Sequence, residues 1–97
     1  MSAGNDTTTP TEASVPSVAP GFRLQYEPAQ DAQVLLFPEG MVKLNQSGGE
    51  IMKRCDGKHT IAEIAAELER AFSTSGLIQD VLGFVRMAGE KRWLRWE

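Results

Sequence analysis

Between positions 22 and 44, three short apolar runs are separated by connections too short to hold a helix. Residues 22–27 alternate apolar and polar side chains, the pattern of a half-buried strand. Residues 33–37 are almost continuously apolar, as in a central strand. Residues 41–44 make a third, shorter run. Positions 28–31 supply turn chemistry between the first two runs. Pro38-Glu39-Gly40 supplies a tight turn before the third, with Pro presetting φ at the second turn position and Gly favoured at the fourth. Parallel pairing would need a crossover of about a dozen residues or more. The three runs therefore predict an antiparallel meander whose third strand is an edge.

The periodicity then switches to that of helices. Asn45 or Ser47 can cap a helix running to about Cys55, with Ile51, Met52 and Cys55 on its inner side. Gly48 and Gly49 weaken its first turn by about 1 kcal/mol each relative to Ala. Gly57 suits the left-handed residue that helix ends favour. Thr60-Ile-Ala-Glu63 is a capping box opening a second helix, with Ile61, Ile64, Leu68 and Phe72 along one face. A third helix is expected from Leu77 to about Gly89. Its apolar residues Leu77, Ile78, Val81, Leu82, Phe84, Val85 and Ala88 cover an arc of about 160°. A surface helix needs a stripe only somewhat wider than about 100°, so this helix has apolar surface to spare. Residues 91–96 form a short extended or irregular ending. The fold class is thus α+β: a three-stranded antiparallel sheet followed by three helices, winged-helix-like.

The first 21 of the 97 residues are mostly Thr, Ser, Ala, Pro and Gly. That composition offers little apolar surface to offset ordering entropy, so residues 1–21 are expected to be a disordered tail and residues 22–97 the folded domain. The net charge is −3, and Asp6 and Glu12 are the tail's charges, so the domain is nearer neutral. This balance gives no general attraction to nucleic acid or anionic lipid. No apolar run approaches the roughly 18 residues of a membrane span, and the tail lacks the basic start and apolar core of a secretory signal. A single cysteine, Cys55, permits no intrachain disulfide, which suits a reducing cytoplasm.

The chemistry of catalysis is missing. There is no phosphate-binding glycine loop, dinucleotide fingerprint or zinc-protease motif. One Cys and one His fall short of the four ligands of a zinc site. Cys55 and His59 lie four positions apart with no third orienting group, so Cys55 reads as a small buried hydrophobe and His59 as a solvated or helix-capping residue. Trp93 and Trp96 suit either stacking on a partner or anchoring the chain end to the core, the commoner case. No catalytic residue, metal or cofactor is expected.

Residues 23–26, 34–45 and 51–57, then Ile61-Ala-Glu-Ile-Ala65, Asp80-Val81 and Phe84-Val85, closely resemble the PqqD family. The specific piece is the run from Pro38 to Asn45, Pro-Glu-Gly-Met-Val-Lys-Leu-Asn. The resemblance implies a peptide chaperone of pyrroloquinoline quinone biosynthesis, a precursor-peptide recognition element. Such proteins bind the leader region of the precursor PqqA and present it to the radical S-adenosylmethionine enzyme PqqE. In this superfamily the leader adds as a strand beside the third strand, over a groove closed by the third helix. By position, the edge is Met41, Val42, Lys43 and Leu44, and the groove wall is Val81, Phe84, Val85 and Ala88. The sequence departs from the family pattern at Gly48-Gly49, which replace better helix formers, and at Arg92, where a Gly often precedes the final Trp-Leu. Because the resemblance starts at Phe22, residues 1–21 are expected to be dispensable for peptide binding.

The residues agree with that role on their own terms. An edge strand exposes unpaired N–H and C=O groups to a further strand, and an adjacent apolar groove adds side-chain selectivity. The competing class is a winged-helix DNA-binding protein. Its recognition helix, residues 77–89, would offer Arg86, Gln79 and Asp80 to the bases, with Lys91, Arg92 and Arg95 for phosphates, which is a thin basic patch. A third class is a homodimer formed by exchange of a strand or segment.

Overall fold

The computed structural model describes residues 9–97, and residues 1–8 lie outside it. Five strands and three helices follow in the order β1 (Pro16–Val18), β2 (Arg23–Glu27), β3 (Ala32–Phe37), β4 (Gly40–Lys43), α1 (Gln46–Lys53), α2 (Ile61–Ala71), α3 (Ile78–Glu90) and β5 (Leu94–Trp96). The expected meander is present as an antiparallel sheet in the order β2-β3-β4. Leu24, Leu35 and Val42 stand opposite one another in register and therefore share the face turned to the helices. Val34, of opposite parity, is buried but lies outside the central apolar cluster.

The helices begin where the sequence provides caps. Asn45 Oδ1 accepts the Gly48 N–H at 2.7 Å and opens α1. At α2, Thr60 Oγ1 accepts from the Glu63 N–H and Glu63 Oε1 accepts from the Thr60 N–H, completing the capping box. Ile51, Met52, Cys55, Ile61, Ile64 and Leu68 are buried together with Leu35, Leu44 and Leu94. The two glycines that weaken α1 have a packing reason. A methyl group on Gly48 would lie 3.0 Å from the Phe84 ring, and one on Gly49 would lie 3.1 Å from the Gln33 side chain. Their small size brings α1 onto both α3 and the sheet.

The expectation of a disordered tail fails over residues 9–21. Pro16–Val18 pairs antiparallel with Leu94–Trp96 in a second, two-stranded sheet. Val15 and Glu97 exchange backbone hydrogen bonds, and Ala19 N–H donates to the Trp93 carbonyl. The carbonyls of Ser14 and Glu12 accept the N–H groups of Ile61 and Ala62, the first two donors of α2. The arm is held by backbone pairing, to which apolar composition is blind. The part of the predicted tail at residues 1–8 lies outside the described residues.

Helix α3 ends in a motif that accounts for the departure at Arg92. Its N–H donates to the Gly89 carbonyl, and the Trp93 N–H reaches back to the Ala88 carbonyl. This pairing places the intervening residue in the left-handed region, and Arg92 has φ +67°. Glycine would carry no steric penalty there. Beyond it, the Trp96 ring packs so closely on Gly89 that a methyl group on Gly89 would collide with it. Trp96 is thus an anchor for the chain end, although its buried Nε1 has no hydrogen-bond partner among the described residues.

Candidate functional site

Strand β4 pairs with β3 on one side and ends the sheet on the other. Which of its backbone groups face the open side follows from one hydrogen bond. Leu44 N–H donates to the Gln33 carbonyl at 3.0 Å. In antiparallel ladders, hydrogen-bonded and non-hydrogen-bonded pairs alternate. Because Val34 faces Lys43, Leu35 faces Val42 and Leu36 faces Met41, the inward-bonded residues of β4 are Val42 and Gly40. The N–H and C=O groups of Met41 and Lys43 therefore point away from the sheet. The side chains follow the other alternation: Val42 lies on the helix side, while Met41 and Lys43 project from the opposite face. Met41 is half-exposed, at 50%.

An apolar groove of about 490 Å³ lies between α1, the end of α2 and α3. Ile51, Leu68, Leu77, Val81 and Phe84 line it, with Phe72 at one rim and Gln46, Ser47, Glu50, Thr74 and Asp80 as its polar border. Phe84 belongs both to this groove and to the junction with α1, through its contact near Gly48. Phe72, expected on the buried face of α2, instead caps the helix end with 48% of its surface exposed. Ser73, at φ +53°, turns the chain there. Thr74 N–H returns to the Glu69 carbonyl, and Glu69 Oε2 accepts the Leu77 N–H at the start of α3.

The structure divides the expected site residues. Met41, Val42 and Lys43 lie on the edge strand, with Val42 partly buried. Leu44 is buried, and its N–H is already committed to Gln33. Val81 and Phe84 line the groove, Val81 from its floor. Val85 and Ala88 are fully buried at 0% exposure, so they stand behind the groove wall rather than on it. The broad arc of α3 is accounted for in two ways: its centre is core, and its Leu77–Phe84 flank is groove. The contribution of α1 and Phe72 to the groove was missed, and an aromatic residue at the last turn of a predicted helix was the available signal.

The Cys55–His59 pair is not assembled for catalysis. The Cys55 thiol is buried and contacts the Ile51 carbonyl at 3.2 Å. Burial, followed by the nearby Asp56 charge, pushes its pKa up to about 12, far from a nucleophilic thiolate. His59 instead pairs through Nδ1 with Asp56 at 3.0 Å, a hydrogen bond that raises the imidazole pKa and lowers that of the carboxyl. Among the described residues no group of three or more His, Cys, Asp or Glu side chains could hold a metal ion. No helix among them is long and apolar enough to cross a membrane.

The family model described as "Coenzyme PQQ synthesis protein D (PqqD)" matches residues 32–94, from β3 to the start of β5. The chain belongs to the PqqD family. It is 49% identical over 86 residues to the "PqqA binding protein" of Pseudomonas aeruginosa strain UCBPP-PA14, covering 88% of this chain and 94% of the relative. It is 48% identical over 81 residues to the "PqqA binding protein" of Azotobacter vinelandii, covering 82% and 88%. The solution NMR structure of the PqqD truncation of Methylobacterium extorquens PqqCD, described as a functional and stand-alone RiPP recognition element, superposes with a TM-score of 0.77 at 26% identity. That match covers 93% of this chain and 98% of the other. The match to this PqqD structure extends to most of the arm-bearing chain, and the α+β arrangement of sheet and three helices is the PqqD fold.

Proposed function

We propose that this PqqD-family protein binds the leader region of the precursor peptide PqqA as a strand added along β4, acts without catalysis of its own, and presents the peptide to the radical S-adenosylmethionine enzyme PqqE in the cytoplasm. Relatives named for binding PqqA support the choice of partner. The observation that carries the mode of binding is the outward aim of the Met41 and Lys43 backbone groups at an unpaired edge. Backbone pairing would give affinity, while Val42 on one face and Met41 and Lys43 on the other would read alternate leader side chains. A free β-edge is also open to a second copy of the chain.

The test is residue-resolved amide hydrogen exchange on the labelled full chain, with and without PqqA. Strand addition protects the Met41 and Lys43 amides and leaves Val42 and Leu44, already bonded to β3, nearly unchanged. Saturating PqqA without protection at Met41 and Lys43 would reject the mode. Protection that rises with protein concentration in the absence of peptide would mean that the edge is taken by another copy. Addition of PqqE to the PqqA complex should give a ternary complex in sedimentation, and separate sedimentation of PqqE would reject presentation.

A further inference from the structure

Among the described residues, three that are not glycine have a left-handed backbone: Asp31 at φ +51°, Ser73 at φ +53° and Arg92 at φ +67°. Asp tolerates this region, and the Asp31 carboxylate accepts from the Tyr26 hydroxyl. Arg92 has the largest side chain of the three. That side chain is exposed and makes no hydrogen bond or ion pair among the described residues. The helix dipole does not account for it. A cation at a helix C-terminus gains less than a left-handed backbone costs, and Lys91 already holds the C-cap position of α3. Glycine would close the same turn without strain. The Arg92 side chain thus costs the fold stability and returns nothing within the chain, which points to a task outside the fold.

The surroundings give that task a sign. Residues 86–95 contain Arg86, Lys91, Arg92 and Arg95 against one carboxylate, Glu90, in a chain of net charge −3. None of the four cations forms an ion pair among the described residues. Lys91 Nζ stands 5.7 Å over the partly buried Trp93 ring, which holds a second charge beside Arg92. Both residues lie outside the β2-β3-β4 sheet, where Ala19 of the arm bonds to Trp93 and β5 begins. We propose, on the basis of the presentation reading, that Lys91 and Arg92 are a docking point for an acidic surface of the enzyme that takes the peptide, with the Arg92 guanidinium paired to an Asp or Glu of that enzyme. A guanidinium matches a carboxylate with two parallel N–H···O bonds. Two neighbouring cations on a chain of net negative charge are too few to hold a nucleic acid or an anionic lipid surface.

The experiment titrates PqqE into the full chain saturated with PqqA, and PqqA into the full chain alone. It uses the parent, Arg92→Gly, Arg92→Lys and Arg70→Gln, with thermal unfolding of each. Arg70→Gln is the charge control. Arg70 is exposed near the end of α2, beside the start of α3, where Glu69 accepts the Leu77 N–H; Arg92 is about 20 Å away along the 13-residue α3. That separation exceeds the screening length of about 8 Å at physiological salt. Arg92→Gly should raise Tm by about 2–8 °C, weaken PqqE about threefold to tenfold and leave PqqA unchanged. High salt should shrink its difference from the parent in PqqE binding. Arg92→Lys keeps charge and strain, so its Tm should match the parent's and its PqqE affinity should lie between the two. A gain in stability together with a loss of PqqE is a result that a purely structural Arg92 does not give. If Arg92→Gly binds PqqE like the parent, the docking point is wrong. If Arg70→Gln weakens PqqE as much, net charge and not this site is responsible. If Arg92→Gly weakens PqqA instead, the cation serves the peptide and the choice of partner is overturned. A Tm below the parent's for Arg92→Gly would show that the side chain supports the fold, and the proposal falls. A parent that binds PqqA but not PqqE would remove presentation and the docking point together, leaving strand addition in place.

Discussion

Proline substitutions along β4 separate the inward and outward backbone groups of the edge strand. Val42 bonds to Leu35 in the ladder, so Val42→Pro deletes one donor and leaves the Leu35 carbonyl in the middle of the sheet without its partner. An unmade buried hydrogen bond costs about 1–3 kcal/mol, and the partly buried Val42 side chain is altered as well. For a domain of this size, whose total stability is about 5–15 kcal/mol, that loss lowers Tm by about 5–20 °C. Met41→Pro and Lys43→Pro remove only donors that face water in the free protein. The fold should lose less than about 1 kcal/mol, as expected for edge positions with solvent-facing N–H groups. Each nevertheless removes one hydrogen bond from the added strand, about 0.5–1.5 kcal/mol, or roughly a twofold to tenfold rise in Kd for PqqA. Thermal unfolding by circular dichroism and titration by calorimetry read the two quantities on the same samples. If Met41→Pro and Lys43→Pro stay folded and bind like the parent, strand addition at this edge is wrong. If Val42→Pro is harmless and both neighbours unfold the sheet, the inward and outward assignment is reversed.

A chain starting at Phe22 should fold with reduced stability, by about 2–4 kcal/mol for the lost β1–β5 ladder, the exposed Leu94 and the uncapped start of α2, while keeping parental affinity for PqqA in its folded fraction; a Tm equal to that of the full chain would contradict the structural role of the arm. Arg92→Gly should stabilise by about 0.5–1 kcal/mol in denaturant unfolding, because relief of a left-handed residue, about 1–2 kcal/mol, exceeds the added flexibility of the unfolded chain, and a lower midpoint would show that the Arg side chain matters more than its φ. The His59–Asp56 pair raises the folded pKa of His59 and lowers that of Asp56, so its stabilisation is fully present below the unfolded His pKa and above the unfolded Asp pKa, fading as pH rises through the folded His59 value or falls through the folded Asp56 value. Asp56→Asn should move the His59 titration, followed by NMR, to lower pH, and an unchanged titration would mean that the pair does not form in solution.

The meander and helix starts were legible because short-range chemistry sets them. Pro38-Glu39-Gly40 closes a two-residue hairpin between Phe37 and Gly40, and Thr60 and Glu63 make their reciprocal capping bonds within one turn. The edge strand was legible for the same reason, since a third strand after two tight turns has one neighbour. Its outward residues were not, because parity is fixed by a hydrogen bond between Gln33 and Leu44, across the sheet. The arm was missed because its strand, Pro16-Ser17-Val18, is three residues long and pairs with the opposite end of the chain. Val85 and Ala88 look like groove residues from their positions on α3, yet they face the core, because α2 and β5 pack across that part of the helix. Gly48 and Gly49 carried a helix penalty in the sequence, and only the positions of Phe84 and Gln33 show what the small residues accommodate.

Among the described residues the main sheet has two unpaired edges, β2 and β4, while β1 is flanked on both sides, which bears on why the proposed partner strand would choose β4. β1 is paired with β5 on one side, while Ser17 bridges Asp56 and the Pro16 carbonyl accepts from Gly57 on the other. β2, the opposite edge of the main sheet, carries Arg23 and Glu27 in its five residues, the kind of charge that discourages further pairing. β4 carries a single charge, Lys43, in a four-residue strand. A strand approaching β2 would have to desolvate charges of both signs, whereas one approaching β4 meets Met41, Val42 and one cation whose stem can lie along apolar surface. The short length of β4 limits nonspecific pairing, because a few backbone hydrogen bonds at about 1 kcal/mol each scarcely offset the ordering of a free peptide. In the proposed mode, affinity then depends on the side chains that the strand presents as well as on its backbone. In the proposed mode, an edge too short to hold an arbitrary strand makes the fit of side chains on its two faces, Val42 on one and Met41 and Lys43 on the other, a condition of binding.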